Sequence, residues 1–177
     1  MNRYITMAIP NNELLYIYEN TVENWFRDEI KMQDLSILYR SMLDGNAEIF
    51  EQEVLKQLRS TISYMDSAES FYHGFLLGLM ANLKDFRMKS NREAGDGRYD
   101  ICIYSLDVTI PPVILELKVA KKYREMETAC EAALAQIEEK NYVEALEDEG
   151  YSEVICYGVG FYKKQVKIRM EKKVLYN

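Results

Sequence analysis

Two charged side chains lie inside an otherwise apolar strand pattern, the stretch VILELKV at residues 113–119. Side chains two apart in a β-strand point to the same face, so Glu116 and Lys118 project together while their apolar neighbours face the other way. An uncompensated buried charge is costly, so the pair indicates a shared polar cavity that can carry chemistry. A strand held by ordinary salt bridges, without a chemical role, is the simpler alternative.

A second carboxylate belongs to the preceding strand pattern, RYDICIYS. Asp100 shares a face with Cys102 and Tyr104, and a hairpin pairing of the two strands brings Asp100 beside Glu116. Two carboxylates at that distance repel each other, and one of them would normally hold a proton. A Mg²⁺ or Mn²⁺ ion, which prefers oxygen ligands, removes the conflict. Lys118 would then position an attacking water and stabilise charge on a phosphoryl oxygen.

The elements that must position these residues begin with a helical first third. Apolar residues recur there at three- and four-residue spacing, which predicts amphipathic helices. Their starts are marked by capping or turn residues at Asn11 or Asn12, Asp34, Gly45, and Ser67 or Ser70. We therefore expect several helices before the first strand.

The rest of the chain predicts a mixed sheet. Short extended stretches after Asp85 predict strands, namely FRMKSN, RYDICIYS, VILELKV, EVICYGVGFY and QVKIRM. The first three have short links and can be antiparallel neighbours. A long helix from Tyr123 to Glu149, ended by Gly150 as a C-terminal cap, would carry a right-handed crossover from VILELKV to the next strand.

Composition limits the class of protein. The chain has 177 residues, the size of about one domain. Its 3 cysteines are odd in number and lie in apolar surroundings, which favours reduced core thiols. The sequence lacks an apolar run of membrane-spanning length and a signal-peptide pattern, so we expect a cytoplasmic protein.

The charge is negative but uneven. A net charge of −7 argues against a free-standing, tight, non-specific nucleic-acid binder. The range 125–149 holds nine acidic residues and one lysine, whereas 163–173 holds six basic residues and one glutamate. One face can therefore still be positive, although solvated charge runs are the commoner meaning of such segments.

The order Asp, then Glu-apolar-Lys on the following strand, resembles the PD-(D/E)XK nuclease superfamily. The chain is specifically similar to an uncharacterised nuclease-like domain found C-terminal to an AAA-type ATPase-like domain in many bacterial proteins. The resemblance rests on six blocks in order: IPNNELL, FYHGFLLGLM, SNREAGDGRYDI, ILELKV, ALAQIEEKNY and YGVGFYKKQV. It covers nearly the whole chain, most convincingly Glu69 to Val166.

The resemblance implies an α/β fold with a restriction-endonuclease-like core. That core is a mixed β-sheet flanked by helices in the order α-β-β-β-α-β, with an N-terminal helical extension. We expect residues 1–66 to form a helical region packed on a core at residues 67–177, the two making one compact unit.

The resemblance also implies a set of site residues. Asp100, Glu116 and Lys118 match the superfamily's catalytic trio, with Asp100 and Glu116 as ligands of Mg²⁺ or Mn²⁺. The superfamily often uses a further acidic residue from the helix before the first strand, for which Glu69 is the candidate catalytic and metal-binding residue. His73 lies one turn further on the same helical face, either as a core residue or directed at the site.

His73 and three more residues are candidates for substrate binding. Arg98 follows the glycines of the REAGDGR block and can hold a phosphate, or it belongs to a structural turn with exposed charges. Gln136 matches a glutamine that lines the active site in related nucleases, and Lys140 lies one turn further on the same helix. The stricter Gln-x-x-x-Tyr pattern of one nuclease branch is not met, because Lys140 stands at the tyrosine position and Tyr142 follows.

The leading hypothesis is a Mg²⁺-dependent nuclease that hydrolyses phosphodiester bonds of nucleic acid, with DNA favoured. The alternative is a catalytically silent nuclease-fold module that binds or regulates, attached to or partnering an AAA-ATPase-like protein. A homodimer is a further expectation, because nucleases that cut both strands often act as dimers.

Overall fold

The computed structural model describes residues 34–61, 69–94, 97–140 and 142–175. Within these ranges the helices before the sheet are α1 (Ser36–Leu43), α2 (Ala47–Thr61) and α3 (Glu69–Met80). The strands are β1 (Arg87–Ala94), β2 (Gly97–Tyr104), β3 (Val113–Val119), β4 (Glu153–Tyr162) and β5 (Gln165–Val174). A 3₁₀ turn (Tyr123–Glu125), α4 (Met126–Glu139) and α5 (Glu144–Asp148) lie between β3 and β4. The helix predicted near Asn11 lies outside the described residues.

The strands form one mixed sheet in the order β1-β2-β3-β4-β5. The strands β1, β2 and β3 are antiparallel neighbours, β4 is parallel to β3, and β5 is antiparallel to β4. A parallel pair needs a long crossover, and α4 supplies it. The predicted mixed sheet with flanking helices, and with it the restriction-endonuclease-like α/β fold, is confirmed.

Alternation along the central strands separates two apolar cores. Ile101 and Ile103 of β2, with Leu115 and Leu117 of β3, share a core with apolar residues of α1, α2 and α3. Residues of the opposite faces share the second core with α4 and α5, among them Cys102, Ile114, Cys156, Ile137 and Leu146. Helices therefore cover both faces of the sheet, and Glu116 and Lys118 belong to the face under α4.

The helices α1 and α2 pack directly on the sheet. Met42 of α1 and Phe50 of α2 are fully buried in the same core as Tyr157 of β4. The Tyr157 hydroxyl donates a hydrogen bond to the Met42 carbonyl oxygen at 2.7 Å. The predicted division between residues 66 and 67 falls in 62–68, outside the described residues, so it stays a prediction.

The crossover differs from the single long helix predicted for Tyr123–Glu149. The α-helix α4 ends at Glu139, and a separate short helix, α5, follows it. At this break Tyr142 enters the core, and only 1% of the residue is exposed. Its main-chain N–H donates a hydrogen bond to the Ile137 carbonyl oxygen at 3.3 Å. Burial of this ring outweighs continuation of a polar helix. Gly150, with φ +89°, follows α5 as the predicted C-terminal cap.

The helix α4 lies unusually close to β4. A Cβ atom on Gly158 would be 2.2 Å from the Cys130 carbonyl oxygen, and one on Gly160 would be 2.6 Å from the Met126 carbonyl oxygen. Only residues without a side chain leave room for a helix backbone at this distance. The two glycines therefore set the depth of α4 on the sheet.

The three cysteines are free and buried, as predicted. Burial raises the pKa of the Cys102 and Cys156 thiols to about 12 and that of Cys130 to about 11. All three thus behave as neutral core side chains. None of the described helices is long and apolar enough to cross a membrane.

Candidate active site

The strands β2 and β3 stop pairing where their charged residues begin. The last pair of the ladder is Ile101 with Leu115, and the next position would match Asp100 with Glu116. Carboxylates replace the ladder there: the Leu117 N–H donates to Asp100 Oδ2 at 2.8 Å, and the Asp100 N–H donates to Glu116 Oε2 at 3.3 Å. Each acid thus binds the main chain of the other strand, which holds Asp100 and Glu116 side by side.

Glu116 is a buried carboxyl group with an ammonium neighbour. Its side chain is 1% exposed, and Lys118 Nζ lies 3.6 Å from Glu116 Oε1. Burial, and next the charge of Asp100, raise the Glu116 pKa to about 8, while Lys118 opposes this rise only in part. Glu116 therefore holds a proton at neutral pH unless another cation comes close.

The helix α4 adds an amide to the site. Gln136 Nε2 donates one hydrogen bond to Glu116 Oε1 and another to the Tyr142 hydroxyl oxygen at 3.2 Å. The structure thus brings Gln136 to the predicted site. The structure also places Tyr142 at the site. The helical period does not predict this position, because the helix α4 ends and the following turn returns the Tyr142 ring to Gln136. Lys140 is exposed at the end of α4, and its role in substrate binding stays a prediction.

The glycines of β4 stand directly beside the charged residues of β3. Gly158 pairs with Glu116, and Gly160 pairs with Lys118. Because paired residues of neighbouring strands point to the same face, both glycines lie under α4 next to the site. Their lack of side chains lets α4 approach until Gln136 reaches Glu116.

The helix α3 contacts β2 from the face of the sheet opposite α4. His73 Nε2 lies 3.1 Å from the Asp100 carbonyl oxygen and 2.9 Å from Ser90 Oγ of β1. His73 thus contacts the main chain of the residue that carries the first carboxylate. Glu69 begins α3 and is exposed.

Three predicted site residues, Glu69, Arg98 and Lys140, have no described contact with Asp100 or Glu116. Within the described ranges, the structure contains no group of three Asp, Glu, His or Cys side chains placed to hold one metal ion. Glu69 as a third ligand therefore stays a prediction. Arg98 lies in β2 opposite Glu93 of β1, and its side chain is outside the described part of the chain.

The donor set fits a hard divalent cation. Asp100 and Glu116 offer carboxylate oxygens on adjacent strands, and Mg²⁺ is often held by only one or two carboxylates, with waters completing its shell. The thiol of Cys102, on the same face of β2, is neutral because burial raises its pKa. The chemistry of the pair thus favours Mg²⁺ or Mn²⁺ over a thiolate-bound metal.

The sheet order, the flanking helices and the Asp-Glu-Lys trio on adjacent central strands define a restriction-endonuclease-like protein. A family profile described as the PD-(D/E)XK nuclease superfamily matches residues 67–171. The chain belongs to this superfamily, whose members generally hydrolyse phosphodiester bonds. A comparison with curated proteins finds no match. The superfamily resemblance seen in the sequence is confirmed, and the association with an AAA-ATPase-like domain stays a prediction.

Proposed function

We propose that this protein is a nuclease that uses Mg²⁺ or Mn²⁺ to hydrolyse phosphodiester bonds of nucleic acid, with DNA as the favoured substrate. The observation that carries the proposal is the reciprocal contact of Asp100 and Glu116 with each other's strands, beside Lys118. Without a bound cation, burial and the charge of Asp100 keep Glu116 protonated, whereas a divalent cation would let Glu116 ionise beside Asp100.

Each residue has a distinct role in this proposal. Asp100 and Glu116 would hold the ion, with Glu69 as a further carboxylate. When bound there, the ion would supply Lewis-acid stabilisation of phosphoryl charge and lower the pKa of a water ligand. Lys118 would orient the attacking water and stabilise negative charge on a phosphoryl oxygen. Gln136 would hold the Glu116 carboxylate in one orientation through its hydrogen bond.

The test is cleavage of labelled single-stranded DNA, duplex DNA and RNA with Mg²⁺, with Mn²⁺ or with a chelator. We expect the parent protein to cut only with metal and Lys118→Ala to lose about 10²-fold or more of that activity. The Lys118 side chain is 30% exposed, so its truncation should preserve the fold, which a thermal melt would check. Lys56→Ala is the control, because Lys56 is an exposed lysine of α2 beside Glu53. Equal cutting by Lys118→Ala and the parent would exclude this mechanism.

The second candidate is a catalytically silent nuclease-fold module that binds a nucleic acid or a partner, such as an AAA-ATPase-like protein. It is favoured by the raised Glu116 pKa, which leaves the buried carboxyl neutral near pH 7, and by the net charge of −7. A Mn²⁺ titration above the Glu116 pKa separates the two candidates. A lack of binding there favours the silent module, whereas metal-dependent cleavage contradicts it. Location in the cytoplasm and a homodimer remain predictions under both candidates.

A further inference from the structure

The neighbouring strands β3 and β4 end next to each other, at the same end of the sheet. They run parallel, and their last pair is Val119 with Phe161. Just beyond it the Ala120 N–H donates to the Phe161 carbonyl oxygen at 2.8 Å. The segments 121–124 and 163–164 therefore follow the paired ends of β3 and β4, just beyond Lys118 and Gly160.

These two segments carry a concentration of positive charge. We call the surface they form the basic edge, and it consists of Lys121, Lys122, Tyr123, Arg124, Lys163 and Lys164. Five of the six residues are cationic, although the whole chain has a net charge of −7. The acid that follows them, Glu125, lies 4.0 Å from Lys122, and both of these side chains are well exposed. Such a contact neutralises little charge in water.

Three of the four remaining cations of the basic run at residues 163–173 are engaged elsewhere, and Lys172 forms no ion pair with another described residue. Lys167 pairs with Glu51 of α2 at 3.2 Å, and Arg169 pairs with Glu127 of α4. Lys173 lies 4.0 Å from Glu138 of α4. In the described part of the chain, Lys121, Arg124, Lys163 and Lys164 form no such ion pair. These four cations are thus available for a ligand at the end of the sheet beside the site.

The basic edge also presents an aromatic ring. Tyr123 is 65% exposed and stands between Lys122 and Arg124 in the chain. A cationic track with an exposed aromatic ring is the arrangement that binds single-stranded nucleic acid, because phosphates meet the cations and a base stacks on the ring. The N-terminus of α4, at Met126, adds the positive end of a helix dipole at the same edge.

We propose that the basic edge binds the phosphates of a single strand of nucleic acid and stacks one unpaired base on Tyr123. The strand would run from this surface to Lys118, whose neighbour Val119 is the last residue of β3. This inference rests on the proposed function, because it supplies the path by which the substrate of the Asp100–Glu116 site is held.

The test is equilibrium binding in a chelator, so that cleavage plays no part. The probe is a fluorescent oligothymidylate of about 20 nucleotides, longer than a typical single-strand site. The double variants Lys121→Ala/Lys122→Ala and Lys163→Ala/Lys164→Ala should each bind it several-fold more weakly. Each should also lower the slope of log K against log salt by about 1.4, or about 0.7 per lost phosphate contact.

The chain offers a matched control at the opposite end of the strands. Lys172 and Lys173 are also adjacent lysines, near the end of β5 that pairs with the start of β4. They lie about 25 Å from the basic edge, at a rise of about 3.3 Å per residue. The variant Lys172→Ala/Lys173→Ala removes the same charge and should bind the oligothymidylate as the parent does. An equal loss in this control would show that only net charge matters and would overturn the inference.

Further probes test whether the basic edge prefers single-stranded to duplex nucleic acid, and whether it distinguishes DNA from RNA. Tyr123→Leu should weaken binding of the oligothymidylate but not of a duplex of the same length, and the parent should bind the duplex more weakly. Oligouridylate of equal length distinguishes RNA from DNA as the source of the phosphates. Absence of binding by the parent, or tighter binding of the duplex, would overturn the inference.

The two proposals can fail separately. Metal-dependent cleavage by a protein whose basic-edge variants bind as the parent does would overturn the basic edge and leave the nuclease intact. Single-strand binding that depends on the basic edge, in a protein that never cuts, would support this surface and overturn the proposed nuclease activity.

Discussion

Gln136 of α4 donates a hydrogen bond to Glu116 of β3, across the face of the sheet that carries the site. Lys118 approaches the same carboxyl oxygen, and the Asp100 N–H donates to the other one. Both oxygens of this buried group are therefore engaged by the protein. Such contacts fix the orientation of a carboxyl group before a ligand arrives.

Removing this amide should weaken metal binding. Gln136→Ala leaves Glu116 without one donor, and loss of an outer partner of a metal ligand costs about 10–100-fold in affinity or activity. Tyr142→Phe is the matched control, because it removes the hydroxyl bonded to Gln136 but keeps the amide that bonds to Glu116. We expect a smaller loss in Tyr142→Phe, measured by calorimetric titration with Mn²⁺. Equal affinities in the parent and Gln136→Ala would contradict this role for Gln136.

The raised pKa of Glu116 predicts how stability depends on pH without metal. The folded-state pKa is about 8 against an ordinary value of 4.5, so the folded protein binds more protons than the unfolded chain between these values. The free energy of unfolding should therefore fall as pH rises from about 5 to 8, by at most about 1.4 kcal/mol per pH unit. Glu116→Gln cannot ionise and should show a flatter profile in urea unfolding. Parallel profiles of the two proteins would contradict the raised pKa.

The same proton should compete with a divalent cation. A metal ion binds the ionised carboxylate, so Mn²⁺ affinity should rise with pH until about 8 and level off above it. Calorimetry in buffers of different ionisation enthalpy would measure the proton released on binding. An affinity that is constant from about pH 6 to pH 9 would show that Glu116 is not a ligand that must lose its proton.

The close packing around the glycine beside Glu116 predicts a large difference in stability between two glycine-to-alanine substitutions. Gly158→Ala places a Cβ atom 2.2 Å from the Cys130 carbonyl oxygen and 2.9 Å from Leu134 Cγ, so α4 must move. Overpacking of this kind costs about 1–3 kcal/mol, and a shifted α4 also withdraws Gln136 from Glu116. Thermal melts and Mn²⁺ titration would measure both effects.

Gly74→Ala is the control for this substitution. Gly74 lies inside α3 with nothing within 4 Å of the added atom, so helix propensity should stabilise the variant by up to about 1 kcal/mol. Equal melting temperatures of the two variants would contradict the close packing of α4 on β4.

Local patterns were sufficient to predict the sheet and the side on which its charges lie. Alternation in β3 placed Glu116 and Lys118 on one face, and the same rule in β2 placed Asp100 with them, because the period of a strand is a local property. The contacts beyond that were not local. The end of the ladder before Asp100 depends on carboxylates that bind the opposite strand.

The break after α4 and the pairing of the charged residues could also not be predicted from the sequence. Tyr142 leaves the helical period because burial of its ring in the second core competes with helix continuation. Three of the basic residues of β5, Lys167, Arg169 and Lys173, pair with acids on α2 and α4, and Lys167 and Glu51 are 116 positions apart. A charge run alone does not show which of its members will find such distant partners.

The ion pairs along β5 also bear on self-association. β5 is an edge strand of the sheet, and an exposed edge invites another chain to add a strand to it. Charged side chains on an edge strand hinder such addition, and β5 carries Lys167 and Arg169. Continuation of the sheet from one molecule to the next is thus opposed at β5, which lowers the tendency of this edge to aggregate.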